Sequence, residues 1–132
     1  MKNIKNIFLA ISFFLISSVG YCQYIYGGSG GRIGRIDGNY FYDGAGQKIG
    51  RLDGNYLYDG SGVKVGRKDG DYFYDGTGKQ IGKIIGGYVY DGTGNKALRI
   101  DGNYVYNGLG EKIGRGDGVT NIQLILFFLY FS

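Results

Sequence analysis

The 132-residue chain contains no His, no Pro and no Trp, and its single Cys is Cys22. Without His there is no Ser-His-Asp triad, no Cys-His pair and no His-based metal site. One Cys makes neither an intramolecular disulfide nor a thiolate zinc centre. The lack of Pro leaves every residue an N–H to donate, as the strands of a continuous sheet require. A large excess of charge of one sign is also lacking, with 15 basic against 11 acidic residues. What the chain has in excess is Gly, at 28 residues, and Tyr, at 14. This composition points to a repeat protein rather than an enzyme.

The first 22 residues read as a segment outside the fold. Lys2 and Lys5 precede the almost wholly apolar run from Ile7 to Ile16, and Ser17, Ser18 and Gly20 follow it. That order matches the basic, apolar and small-residue regions of a secretory signal peptide. Cleavage after Cys22 makes Gln23 the mature N-terminus. The alternative is a lipoprotein anchored at Cys22, against which the bulky Tyr21 argues. Without residues 1–22, Lys2 and Lys5 are gone, and 13 basic residues face 11 acidic ones, a net charge of +2. Interspersed signs and so small a charge give no footprint for nucleic acid.

From Tyr24 onward the sequence repeats every 16 residues, and six units fill 24–119 without insertion. Tyr recurs at Tyr24, Tyr40, Tyr56, Tyr72, Tyr88 and Tyr104, and again two residues later at Tyr26, Tyr42, Tyr58, Tyr74, Tyr90 and Tyr106. Between each pair stands an apolar residue: Ile25, Phe41, Leu57, Phe73, Val89 or Val105. Asp-Gly-x-Gly follows, as in Asp43-Gly44-Ala45-Gly46, then a basic residue and Ile-Gly-Arg, as in Lys48-Ile49-Gly50-Arg51, and Asp-Gly-Asn closes the unit. Fixed-period similarity of this kind signals a repeat architecture. Tyr-x-Tyr and Ile-Gly-Arg-Ile alternate as strands do. Asp-Gly-Asn predicts a tight hairpin, and Asp-Gly-x-Gly a longer turn.

Alternation places Phe41 on one face with Gly34 and Ile36, and Tyr40, Tyr42, Ile33 and Arg35 on the other. The strand glycines Gly34, Gly50, Gly66, Gly82 and Gly114 are expected to let a bulky neighbour lie over the backbone. One unit has too few apolar residues to fold alone, so neighbours must bury each other's faces. The chain begins and ends part-way through a hairpin. Tyr24–Tyr26 and Lys112–Arg115 are therefore expected to pair and close a ring, which removes exposed edges. The alternative is an open β-solenoid with both ends free.

Several units depart from the pattern. Ala97-Leu98 replaces Ile-Gly, Ile85 replaces a turn Asp, and Lys68 stands where Ile36, Leu52, Ile84 and Ile100 stand. This drift reads as tolerance in a degenerate scaffold, with a specialised patch as the alternative. After Gly118 the repeat stops, and residues 122–131 contain one polar member, Gln123. This run is too short to span a bilayer as a helix. It reads as a final strand or short helix packed over an open face of the array. Contact with a membrane or a partner is the alternative.

With repeat and tail in view, the chain resembles the β-flower proteins of bacteria, especially the five-fold group. The resemblance rests on the signal peptide, on units of the form Ile-Gly-Arg-Ile-Asp-Gly-Asn-Tyr-x-Tyr, and on the aromatic end Leu126-Phe127-Phe128-Leu129-Tyr130-Phe131. It implies a ring of β-hairpin petals and a secreted protein without established activity, and it brings no functional residues. Five complete hairpins run from 33–42 to 97–106, whereas six Tyr-x-Tyr units are present, so the petal number stands at five to six.

The expected fold is thus all-β: a signal peptide over 1–22, a ring of hairpins over 23–119 and a hydrophobic tail over 120–132. Asp43, Asp59, Asp75 and Asp91, like Asp37, Asp53, Asp69 and Asp101, are expected to shape turns. A calcium site needs six to eight oxygens, and each loop offers one carboxylate. Identical units also fail to supply the asymmetric carboxylate pair of a glycosidase. No catalytic residue, metal or cofactor is expected. The residues best placed for a ligand are Tyr40, Tyr42, Tyr56, Tyr58, Tyr72, Tyr74, Tyr88 and Tyr90 with Arg35, Arg51 and Arg67. Packing of Arg on Tyr is the plain reading of these columns. A glycan-binding face is the sharper one. The partners in view are a polysaccharide or another surface protein, with membrane contact by 122–131 as a further alternative and no nucleic acid.

Overall fold

The computed structural model describes residues 23–132. The expected signal peptide and Cys22 lie outside the described residues. Twelve strands follow one another: β1 (Tyr24–Gly27), β2 (Arg32–Asp37), β3 (Tyr40–Asp43), β4 (Lys48–Asp53), β5 (Tyr56–Asp59), β6 (Lys64–Asp69), β7 (Tyr72–Asp75), β8 (Gln80–Ile85), β9 (Tyr88–Tyr90), β10 (Lys96–Asp101), β11 (Tyr104–Asn107) and β12 (Lys112–Asp117). They end in a short helix, α1 (Asn121–Leu126), and a π-helical turn (Phe127–Phe131).

Each strand pairs antiparallel with the next, and β1 pairs with β12, so the sheet is a closed barrel. The open solenoid does not form. Closure follows the register of the internal hairpins: Tyr24 faces Asp117 and Ile25 faces Gly116, as Tyr40 faces Asp37 and Phe41 faces Ile36. Five hairpins are joined by their own turns, and the sixth is assembled from the two ends of the repeat. This resolves the petal number: five are continuous in sequence and one is split.

The turns form as their residues dictate. In Asp37-Gly38-Asn39-Tyr40 the glycine has φ 60°, and no residue other than Gly has positive φ among the described residues. Gly at the first central position is the signature of a type II′ hairpin, whose twist matches that of its strands. At the other end of each hairpin the longer strand carries a bulge. Phe41 faces Gly50 and Tyr42 faces Lys48, so Ile49 is the extra residue. Ile33 occupies the equivalent bulge in the first unit. Strict alternation put Ile33 with Arg35 on the Tyr face. The bulge breaks that alternation, and Ile33 packs part-buried against the core.

The barrel interior is filled by its own C-terminal tail. The inward residues Ile25, Phe41, Leu57, Phe73, Val89 and Val105 are each at most 2% exposed. Leu124, Ile125, Leu126 and Phe127 join them in one core cluster. The tail thus enters the barrel rather than covering a face of an array. A capping box starts α1: the Thr120 hydroxyl accepts from Gln123 N at 3.2 Å, and Gln123 Oε1 accepts from Thr120 N at 2.9 Å.

The strand glycines are the sockets for this tail. A Cβ on Gly34 would lie 2.6 Å from the Phe127 ring, and one on Gly114 would lie 2.6 Å from Phe128. A Cβ on Gly82 would lie 3.4 Å from Leu129. Gly66 and Gly50 leave no room for a side chain beneath Tyr130 and Phe131. Five consecutive tail residues therefore meet glycines on β2, β12, β8, β6 and β4 in turn. The strand passed over is β10, where the departure Leu98 fills the place itself and is buried. A π-helical turn advances less per residue than the roughly 100° of an α-helix. It therefore spreads five side chains around one circuit of the barrel.

Removal of residues 120–132 empties the barrel. Truncation after Val119 is expected to lower the melting temperature by well over 10 °C or to prevent folding, as losing several core side chains at about 2–5 kcal/mol each requires. A truncated chain that melts like the parent in circular dichroism would refute the role of the tail.

Candidate functional site

The outer face of the barrel is a girdle of Tyr and basic residues. Register builds it directly. Arg35 lies opposite Tyr24 on one side and Tyr42 on the other, and Arg51 lies between Tyr40 and Tyr58. Arg67 lies between Tyr56 and Tyr74, and Lys83 between Tyr72 and Tyr90. Every sequence-selected residue is therefore on this girdle.

Within it the second Tyr of every pair except Tyr88–Tyr90 is covered by an Arg guanidinium. Arg35 sits 4.1 Å from the Tyr42 centroid, and Arg51 and Arg67 each sit 4.3 Å from Tyr58 and Tyr74. The first Tyr of each pair meets a second basic column. Lys48 lies 4.5 Å over Tyr40, Lys64 4.8 Å over Tyr56 and Lys96 4.4 Å over Tyr88. This column was not among the selected site residues. Its signal was the basic residue before each Ile-Gly, which becomes a Tyr cap only through the bulge.

Unit four shows the rule by its exception. Gln80 takes the place of Lys48 and Lys64. Lys83 then covers Tyr72, at 5.4 Å. Tyr90 packs instead against the Tyr88 ring at 6.3 Å. Cation–π contacts of this kind contribute about 0.5–1 kcal/mol each at exposed sites. Arg35, Arg51, Arg67 and Arg99 also reach the turn carboxylates of Asp37, Asp53, Asp69 and Asp101 at 3.3–3.9 Å. These pairs are solvent-exposed and add little stability.

In four of the six pairs the first Tyr keeps an accessible edge. Tyr40, Tyr56, Tyr72 and Tyr104 are 38–42% exposed. The other Tyr rings are more deeply set. The girdle can thus offer hydroxyls, ring edges and cation N–H groups to a partner, repeated around the barrel.

The Asp-Gly-x-Gly carboxylates are committed to their turns. Asp43 Oδ1 accepts from Ala45 N at 3.0 Å and Gln47 N at 2.9 Å. Asp59, Asp75 and Asp91 repeat this and add the hydroxyls of Ser61, Thr77 and Thr93 at 2.6–2.8 Å. Asn107 makes the same two backbone bonds with its amide oxygen. A neutral acceptor therefore suffices. Among the described residues no group of three or more acidic or Cys side chains is arranged to hold a metal ion.

Hydrogen bonds from Val63 and Ser61 hold the Asp59 carboxyl below its ordinary value of 3.8. Those from Thr77 and Lys79, and from Thr93 and Asn95, do the same for Asp75 and Asp91. In the interior, burial pushes the Tyr130 hydroxyl up to about 12. That hydroxyl donates to the Tyr74 carbonyl at 2.8 Å.

A family model described as 5-fold beta-flower protein matches residues 22–132. No curated protein and no solved structure matches the chain.

Because a carboxyl with a lowered folded value stabilises only while ionised, its contribution is present above about pH 4 and lost as pH falls through the folded value. Melting temperature is expected to be flat from neutral pH to that point and to fall below it. Replacing Asp59, Asp75 and Asp91 together by Asn, as at position 107, should keep the fold and flatten the acid limb. An unchanged acid limb in thermal denaturation across pH 2–7 would contradict this role.

Proposed function

For a chain that belongs to the five-fold β-flower family, we propose an exported, non-catalytic structural and interaction module. The observation that carries this reading is the outer girdle, whose Tyr rings are capped by the protein's own cations in unit after unit. Such a face presents the same groups around the barrel. It suits contact with a repetitive or extended surface better than the asymmetric chemistry of catalysis. The basic start, apolar run and small residues of the first 22 positions support export.

A second reading makes the girdle a glycan-binding face. It is favoured by the accessible edges of Tyr40, Tyr56, Tyr72 and Tyr104 beside Lys and Arg donors. The tail offers a third, membrane association. That reading requires side chains such as Leu124, Leu126 and Phe127 to leave the core. No helix among the described residues is long and apolar enough to cross a membrane.

Alanine at Tyr56 and Tyr58 separates the first two readings. The structural reading expects a loss of about 1–3 kcal/mol and no specific binding on a glycan array by the parent. A specific hit by the parent that disappears in the folded variant would replace it with the glycan reading. Co-flotation of the folded parent with liposomes would instead favour the membrane. Export is checked by N-terminal sequencing of protein recovered outside the cytoplasm, expected to begin at Gln23.

A further inference from the structure

The tail does not close the II′-turn end of the barrel completely. Beside α1 a cleft of about 470 Å³ opens. Its apolar wall is formed by Phe41, Leu52, Ile84, Ile122 and Leu126. The size falls within the range of small-molecule sites, which pair apolar walls with a few placed polar groups.

Two charged residues line this cleft, Lys68 and Asp71. Both depart from the repeat. Lys68 occupies the inward position of Ile36, Leu52, Ile84 and Ile100, and Asp71 occupies the turn position of Asn39, Asn55 and Asn103. No other unit carries a charge at either position. The two departures have opposite sign, arise in one unit and line one cleft.

Neither charge is consumed locally. Lys68 Nζ donates to the Gly70 carbonyl at 2.9 Å, which leaves two N–H groups. The neighbouring carboxylate of Asp69 is engaged by Arg67 at 3.4 Å. Lys68 and Asp71 do not form an ion pair with each other within 4.0 Å, nor does either take part in the ion pairs of the described residues.

An apolar wall with one ammonium and one carboxylate at its rim is complementary to a zwitterion bearing an apolar side chain. A simple fatty acid meets repulsion from Asp71, and a simple amine meets repulsion from Lys68. We propose that this cleft binds a free α-amino acid with a large apolar side chain. Its carboxylate meets Lys68, its ammonium meets Asp71, and its side chain lies against Phe41, Leu52 and Ile122.

The test is isothermal titration of the purified protein with L-phenylalanine and L-leucine, and with 3-phenylpropanoate and 2-phenylethylamine. The variants are Lys68→Ile and Asp71→Asn. Each installs the residue that other units carry at that position, and circular dichroism confirms folding. The parent is expected to bind at least one amino acid and to prefer L-phenylalanine over both single-charge analogues by about fivefold or more, as one charge-assisted contact at a wet rim allows. Lys68→Ile should weaken amino-acid binding by a similar factor. Asp71→Asn should abolish the preference over 3-phenylpropanoate. Binding of neither amino acid, or equal binding of the analogues by parent and variants, would overturn the proposal.

Discussion

The fold depends on one steric relation, the seating of the C-terminal side chains on backbone that carries no Cβ. A barrel of short two-residue-turn hairpins encloses a space that the six inward residues from Ile25 to Val105 do not fill alone. Phe127 to Phe131 fill it, and Phe127, Phe128, Tyr130 and Phe131 approach the sheet closely because Gly34, Gly114, Gly66 and Gly50 stand beneath them. Phe131 also packs on Phe41, with ring centroids 4.9 Å apart. Glycine in a strand is ordinarily a weakness, since it brings no packing and costs backbone entropy. Here it is the shape of the socket, and the ring supplied by the tail replaces the missing side chain.

This relation also explains how identical units give a unique structure. A perfect repeat leaves its ends equivalent to any internal junction, and nothing in the unit itself fixes where the chain closes. Pairing of β1 with β12 settles the edges. The asymmetric tail settles rotation, because only five sockets are open and Leu98 blocks the sixth. Gly116, at the inward place of Ile36, leaves room for Val119 and Leu124 where the chain turns inward. Outside, the cations and Tyr rings form a lattice that ties each hairpin to the next without using the core.

Much of this was legible in the residues. The 16-residue period gave strands, turns and ring closure because register in a hairpin follows from turn length and alternation. The Asp-Gly-x-Gly carboxylates read as turn formers because a single short side chain can satisfy two local N–H groups. The sockets were legible as a glycine column, though their occupants were not. The tail has no repeating partner, and a short apolar run does not reveal whether it forms a strand or a helix. Its entry into the barrel is a long-range outcome. The bulges were hidden because Lys-Ile-Gly-Arg reads as continuous alternation, and with them went the pairing of Lys48 with Tyr40. The shared face of Tyr and Arg was legible. What a repeated unit conceals is which copy differs usefully, as with Lys68 and Asp71 at the mouth of the barrel.

The most direct measurement is a double-mutant cycle between Gly34 and Phe127, read by chemical denaturation. A methyl group at Gly34 collides with the far edge of the Phe127 ring, which Leu at 127 does not reach. Gly34→Ala is expected to destabilise the parent by about 1–3 kcal/mol, as overpacking does. In the Phe127→Leu background the same change should cost far less, with a coupling of about 1 kcal/mol or more. Additive effects of the two substitutions would contradict the account, because the glycine would then be serving something other than the tail.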